Sequence, residues 1–542
     1  MKKVILILAV FAASLMGANA YEKRDLLQRS ATEAEVKASL VMDQKWVPYP
    51  AYSDRNGWNN LLGDYRTDVL ELRQGGLAQM LSWTYYFLHD QLDKIDPIIS
   101  MRLRHELQKR ELDPFINRTD FWWMAWDESP TVFVNNWNPW CNANALLCYM
   151  LLENDRDKLA KAVYKSMISV DRYLNYVKAD GACEEGATYW GHAFGKLFDY
   201  LSELQMITGG KVSLFNNKLV KDMGEFVAKS YIGNGYAVNF ADASAHVSDY
   251  MALVYRCGKA LGSREMMDMA VDCFKEKPET VTSVWLDTYK QIEAMKVLKE
   301  MSQAKGGYKA DAFTWYPQTE FCYMRNAEAF FAGKGGYNDE SHNHNDIGSF
   351  VLYFDNTPIM IDAGVGTYTR QTFSSERYTI WTMQGNYHNI PMINGVPEMY
   401  GKKYKATNAR ADRRTMSFSV ELASAYPKEA CVDSWVRSYQ LKKSKLTVSD
   451  NFKLSQTKAA NIVNFLTWDD VDISKKGVVS INVKGVKAQL NYDTNTFEPS
   501  IETIELNDKR LSDVWGKKIY RLSLKAKTTA KSGIYKYEIT KK

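Results

Sequence analysis

Histidine is scarce in this sequence, cysteine is odd in number, and no second long apolar run follows the first twenty residues. Each shortage excludes something. Seven histidines are spread over 542 residues, so any that cluster carry information. The seven cysteines (Cys141, Cys148, Cys183, Cys257, Cys273, Cys322 and Cys431) show no CxxC spacing and lie mostly in apolar, helix-like contexts. An odd, unpatterned set makes a poor disulfide framework, and buried thiols are the expectation. The lack of further apolar runs excludes a polytopic membrane protein. A strong charge of one sign is also missing: 69 Lys and Arg stand against 64 Asp and Glu, a net charge of +5. So weak and dispersed a charge excludes a dedicated nucleic-acid binder, but it leaves room for an anionic ligand in a locally basic cleft.

What is present is ordinary for a soluble globular chain: 46% apolar and 25% charged residues. The length calls for two domains rather than one core. Aromatics reach 13%, which suits either a carbohydrate-lined groove or a large core. The first twenty residues read as an export signal: basic Lys2 and Lys3, an apolar stretch from Val4 to Met16, and the small-x-small site Ala18-Asn19-Ala20. No Cys follows, so no lipid anchor is expected. Residues 1–20 are thus expected to be cleaved and the protein to be periplasmic or secreted. Without Lys2 and Lys3 the balance is 67 basic to 64 acidic residues, or +3.

From 21 to 306 the chain reads as helix. Apolar residues recur at three- and four-residue spacing over Asp68–His89, Ile98–Gln108, Ala143–Leu152, Asp157–Val177, Tyr189–Thr208, Leu219–Tyr231 and Leu286–Met301. Aromatic and Asn-rich connections such as Asn135-Asn136-Trp137-Asn138-Pro139-Trp140 lie between them. Successive helices with short links predict antiparallel hairpins closing into an α/α toroid. Near residue 310 the period becomes two. Ser349–Phe354, Pro358–Ile361, Thr415–Glu421, Ser438–Leu441, Leu446–Val448, Val478–Val486, Ile519–Leu524 and Ile534–Ile539 alternate. Asp450-Asn451 and Lys475-Lys476-Gly477 read as turns between them. This predicts an antiparallel β-sandwich over 307–542. Helices segregated from strands mean an α+β chain of two domains, with Ala304-Lys305-Gly306-Gly307 as the boundary.

Three of the seven histidines fall at the start of the sandwich. In Ser341-His342-Asn343-His344-Asn345-Asp346 the two imidazoles are two residues apart, and on a strand both point to one face. Zinc takes imidazole and carboxylate ligands from non-sequential positions. Asp362 in Ile361-Asp362-Ala363-Gly364 and His388 in Tyr387-His388-Asn389 are the natural partners.

These segments resemble the heparinase II/III-like polysaccharide lyases. The resemblance rests on His342-Asn343-His344-Asn345-Asp346-Ile347-Gly348-Ser349-Phe350, Ile361-Asp362-Ala363-Gly364 and Tyr387-His388-Asn389. Upstream it rests on Asn135-Asn136-Trp137-Asn138 and Glu185-Gly186-Ala187-Thr188-Tyr189-Trp190-Gly191. It covers about residues 135 to 390 and implies the helical toroid followed by a sandwich. It also implies β-elimination on a uronic-acid polysaccharide, a carbon–oxygen lyase of class EC 4.2.2.-. Such a reaction needs a base for the C5 proton, an acid for the departing 4-oxygen and neutralisation of the uronate carboxylate.

By resemblance Tyr189 is the acid/base, His342 the second acid/base, and Asn135 or Asn136 the neutraliser, with Asn138 left open. His344, Asp362 and His388 would hold one structural zinc ion. Glu185 binds substrate or orients Tyr189. Arg325 and Arg377 are carboxylate or sulfate clamps or surface ion pairs. His246 is placed at the cleft rim. Trp137, with Trp122, Trp123, Trp126 and Trp140, either stacks on sugars or packs the core. The implied partner is an anionic uronate polysaccharide, with heparan sulfate-like or hyaluronan/chondroitin-like chains ahead of alginate. The competing readings are an alginate or other polyuronate lyase, a metal-dependent hydrolase and a non-catalytic glycan-binding protein. The sequence does not indicate the oligomeric state or the endo or exo mode.

Overall fold

The computed structural model describes residues 23–41, 70–127, 134–282 and 287–542. The export segment read over 1–20 lies outside the described residues. Among those described, no helix is long and apolar enough to cross a membrane, and no disulfide forms.

The chain divides into two compact units. One comprises residues up to Gly181, Gly191–Gly224 and Asp249–Gly306, and is helical. The other comprises Ala182–Trp190, Glu225–Ser248 and Gly307–Lys542, and is mainly sheet. Two stretches from the helical half of the sequence therefore belong to the sheet unit.

Within the helical unit the order of packing is a ring. The helix Leu72–Ile95 packs on Trp137–Leu152, which packs on Phe194–Ile207. That helix meets Met251–Leu261, which meets Thr288–Gln303, which returns to Leu72–Ile95. Pro97–Leu107, Arg156–Tyr176 and Arg264–Glu276 pair with ring members as an outer layer. The expected α/α toroid is therefore the architecture found. A buried amide closes it: Gln79 donates to Asn144 Oδ1 at 2.8 Å and accepts from the Tyr289 amide at 2.7 Å. Several expected boundaries shift. Tyr189–Thr208 is not one helix but a turn, Ala187–Trp190, followed after a break by Phe194–Ile207. The Asn-rich connection becomes helix from Trp137 onward, where the Asn135 side chain accepts from the Trp137 amide at 3.0 Å.

The sheet unit is antiparallel throughout. A five-stranded meander runs Phe313–Tyr316, Phe321–Arg325, Ala329–Lys334, Phe350–Phe354 and Thr357–Met360. An eight-stranded and a four-stranded sheet complete the sandwich. Their core is aromatic. Phe331 and Phe350 of the meander lie 5.0 and 5.4 Å from Tyr439 of the eight-stranded sheet, and Phe350 lies 6.3 Å from Phe465 of the four-stranded one. Each such buried ring contributes roughly 1.5–3 kcal/mol. Asp450-Asn451 is not a turn. It sits inside strand Lys445–Leu454, where the buried Asp450 carboxylate takes Arg437 Nε at 2.8 Å and Nη2 at 3.0 Å. Arg437 Nη1 in turn donates to the Asn389 carbonyl at 2.6 Å.

Candidate active site

The sheet unit brings three distant stretches together. The first contains Glu185-Gly186. Gly186 has φ +90°, and a Cβ there would stand 2.4 Å from the Phe240 carbonyl oxygen. Glycine alone tolerates both. The close approach seats the Ala187–Trp190 turn on the second stretch, where Thr188 Oγ1 accepts from the Ser244 amide at 2.8 Å. Tyr189 then faces His342, with ring centroids 4.0 Å apart, and its hydroxyl is hydrogen-bonded to that of Tyr368.

Asp242 is the centre of the arrangement and is fully buried. Its Oδ2 lies 2.7 Å from His342 Nδ1 and accepts from the Tyr368 hydroxyl at 2.9 Å. Its Oδ1 lies 3.0 Å from His344 Nε2 and accepts from Arg377 Nη2 at 2.8 Å. Burial works against the charge, but the hydrogen bonds from His342 and His344 and the Arg377 guanidinium hold this carboxyl well below the usual carboxylate range. A carboxylate accepts only, so both histidines donate to it. His342 therefore carries its proton on Nδ1. Its Nε2 lies 3.9 Å from Glu185 Oε2, and Glu185 Oε1 accepts from Ser341 Oγ at 2.9 Å. Burial pulls the His342 pKa down, but Asp242 and Glu185 outweigh it and the net direction is up. Burial pushes the Tyr189 phenol up to about 12, against the lowering effect of its bond to Tyr368.

The two histidines do not lie on a strand. They occupy the loop between Tyr337–Asn338 and Phe350–Phe354, and His342 has φ +59°. A left-handed backbone at a residue other than glycine costs about 1–3 kcal/mol and tends to persist at functional sites. This conformation splits the pair: His342 turns to Tyr189, while His344 turns to a second cluster.

That cluster is His344, Asp362 and His388, each offering a ligand atom within 4.8 Å of the others, all buried. His344 spends Nε2 on Asp242, and its Nδ1 is buried without a hydrogen-bond partner. His388 Nε2 lies 3.1 Å from the Thr382 carbonyl, so it donates there and turns Nδ1 toward Asp362 Oδ2 at 3.0 Å. A lone pair facing a carboxylate requires a cation or a proton between them. The donor set therefore fits a metal ion, with Asp242 and Thr382 as the outer partners that orient the imidazoles. The neighbouring Asn389 anchors the motif: its amide donates to the Phe350 and Ile361 carbonyls at 2.6 and 2.9 Å and accepts from the Leu466 amide at 2.6 Å.

The remaining candidates fall in several places. Asn135 and Trp137 are half-buried and Asn136 is buried, all in the helical unit; Trp137 packs against half-exposed Trp122, with centroids 5.0 Å apart. Asn138 is fully buried and donates to the Trp123 and Ser169 carbonyls, so its amide serves the core and does not reach a ligand. Arg325 donates to the Tyr231 carbonyl at 2.6 Å and lies over the Phe330 ring. Arg377 is buried in the sheet unit. Its three nitrogens go to Asn343 O, Thr372 O and Asp242, which staples the loop. His246 stacks on Tyr236, 4.9 Å away. Sequence reasoning missed Asp242 and Tyr368. One is a lone acid among small residues and the other is one tyrosine of 33, so neither carries a local signal.

A family model described as heparinase II/III-like, C-terminal, matches residues 309–518. No curated protein sequence matches the chain. Among solved structures, a heparinase III is similar with TM-score 0.60 and 14% identity, over 87% of this chain and 68% of that one. Heparan sulfate lyase HepC from Pedobacter heparinus is similar with TM-score 0.56 and 13% identity, over 85% and 68%. The Streptomyces coelicolor A3 chondroitin AC lyase, solved with chondroitin sulphate, gives 0.53 and 12%, over 87% and 67%. At such identities the likeness is one of fold. Residues 309–518 thus match the heparinase II/III-like C-terminal family model, in a chain that shares the fold of these lyase structures.

Proposed function

We propose that the protein is a polysaccharide lyase that cleaves a uronic-acid glycosaminoglycan by β-elimination and leaves a 4,5-unsaturated uronate end. The observation that carries this reading is the facing pair Tyr189 and His342, tied to one buried carboxylate. The roles follow from protonation. His342 holds its proton on Nδ1 against Asp242, so Nε2 is the basic atom and removes the C5 proton; Asp242 stabilises the imidazolium that forms. Tyr189 is a neutral phenol and protonates the departing 4-oxygen. The developing charge on the uronate carboxyl needs an uncharged donor, the role the resemblance implies for Asn135 or Asn136.

The metal in this reading is zinc, held by His344, Asp362 and His388, a donor set of two imidazoles and a carboxylate. When bound it supplies a fixed positive charge that pins the loop carrying His342, and it has no part in the proton transfers. Export through residues 1–20 belongs to the same proposal and would place the enzyme where such polymers are met.

The test is initial rates on heparin, heparan sulfate, hyaluronan, chondroitin sulfate and alginate, read by the near-ultraviolet absorbance of the new C=C conjugated to a carboxylate. Heparan sulfate or the hyaluronan/chondroitin group is expected to be fastest. Alginate as the best substrate with the others inert would overturn the substrate class. No absorbing product from any polymer would sink the lyase reading.

A further inference from the structure

Tyr368 is used by nothing described so far, yet it sits between the two charges that the elimination moves. Its hydroxyl donates to Asp242 Oδ2 at 2.9 Å and is hydrogen-bonded to the Tyr189 hydroxyl. One proton cannot serve both bonds. Because Asp242 is a carboxylate, the Tyr368 proton goes to it, and Tyr189 donates to Tyr368. The resting chain of donors runs from Tyr189 to Tyr368 to Asp242. The order must reverse at one link when Tyr189 loses its proton, since a phenolate can only accept. Asp242 Oδ2 keeps the His342 Nδ1 donor at 2.7 Å when Tyr368 turns away, so the turn strands no buried charge. The Tyr368 ring is fixed for such a rotation. Arg510 lies over it at 4.8 Å and Phe373 meets it edge-on at 5.1 Å, so only the O–H bond has to move.

Resting on the lyase reading above, we propose that Tyr368 is a positioning residue whose hydroxyl is held by Asp242 at rest and turns onto the Tyr189 oxygen as Tyr189 protonates the leaving group. The balance is simple. The C5–H and C4–O bonds break and the C4=C5 bond forms. The C5 proton ends on His342 and the Tyr189 proton on the 4-oxygen. No co-reactant is needed, and one proton exchanged with water restores the pair. The charged and titratable groups facing Tyr189 include His342, Asp242, Glu185, Arg510 and Tyr368, and the Tyr368 hydroxyl is the one of these hydrogen-bonded to its oxygen.

The test is Tyr368→Phe, which keeps the ring between Arg510 and Phe373. On the best polymer kcat is expected to fall about 10–100-fold with KM within about two-fold, the pattern of an interaction made only in the transition state. On a 4-deoxy-4-fluoro-uronoside, whose leaving group needs no proton, the same variant is expected to run close to the wild-type rate. Tyr368→His, which restores a ring donor, regains part of the polymer rate. An equal loss on both substrates would mean a merely structural residue, and no loss on the polymer would also overturn the proposal. Should wild type give no unsaturated product at all, the lyase reading fails separately. The Tyr368 contact is then read from the titration of Tyr189 labelled with ¹³C at Cζ and assigned by Tyr189→Phe. A midpoint that rises in Tyr368→Phe supports the proposal, and an unchanged midpoint overturns it.

Discussion

Each unit buries a cluster of charges, and the two spend them differently. In the helical unit three buried cations, Lys196, Arg256 and Lys290, each face a carboxylate. Lys196 lies 2.6 Å from Asp287, Arg256 lies 3.3 Å from Asp199 and 3.5 Å from Glu293, and Lys290 lies 3.5 Å from Asp287. Glu203, left over, is driven well above the usual carboxyl range by burial and by the Asp199 charge. In the sheet unit four donors converge on one carboxylate, Asp242. That concentration leaves one nitrogen of His344 without a hydrogen bond and aims one nitrogen of His342 away from its anchor. Buried charge by itself therefore does not mark a functional site. What sets the sheet-unit cluster apart is an unpartnered imidazole nitrogen facing a second imidazole and a carboxylate.

The comparison can be broken by substitution. The largest effect is expected from Tyr189→Phe, which removes one ionisable hydroxyl and keeps the ring: kcat should drop ~10²–10⁴-fold with binding of the polymer nearly intact. A rate above about a tenth of wild type would make Tyr189 a packing residue. Asp242→Asn comes next, because it strikes both clusters of the sheet unit. We expect a stability loss of about 3–5 kcal/mol, as for breaking a buried pair, together with lost turnover and lowered metal content. Normal zinc in the purified variant would show that the His344 link does not matter. Lys196→Met should cost about 3 kcal/mol, the low end for a broken buried pair because Asp287 keeps Lys290 at 3.5 Å, yet leave metal content unchanged. A fall in bound zinc there would contradict the separation drawn above. Chelation of the wild-type protein, or Asp362→Ala, should lower the thermal midpoint and the activity together, and added zinc should restore only the chelated wild type. The smallest effect belongs to Asn138→Ala: about 1–3 kcal/mol of stability from two unpaired carbonyls, with KM unchanged.

The order of helices and strands was legible because periodicity reports burial on one face. It failed where both faces are buried. Ala329–Lys334 and Ile462–Trp468 are covered on both sides or nearly so, do not alternate and escaped notice. Val478–Val486 looked like one strand, but its Lys484-Gly485 turn divides a hairpin. The cluster His344, Asp362 and His388 was legible because its residues lie in short motifs and histidine is a rare type here. Asp242 was not. It lies between Ala241 and Ala243, and its meaning appears only through partners about a hundred residues away. Arg325 and Arg377 illustrate the converse: their charge is plain in the sequence, while the backbone carbonyls they bind leave no trace there.

The division of the chain also bears on its synthesis. Tyr189 and Asp242 belong to the sheet unit but precede most of it, and 179 residues separate Tyr189 from Tyr368. At the usual pace of translation that interval lasts on the order of ten to forty seconds. The helical ring closes on residues ending at Gln303, so it can settle while the nascent chain is still short of the His342 and His344 motif. The stretches 182–190 and 225–248 must wait for the contacts that only residues beyond 306 supply. The contacts that join Tyr189 and Asp242 to His342, His344 and Tyr368 span 100 to 179 residues, which places the assembly of the site among the last events of folding. A ribosome-stalled chain ending before residue 342 should accordingly hold a protease-resistant helical core with Tyr189 and Asp242 still open to cleavage around them.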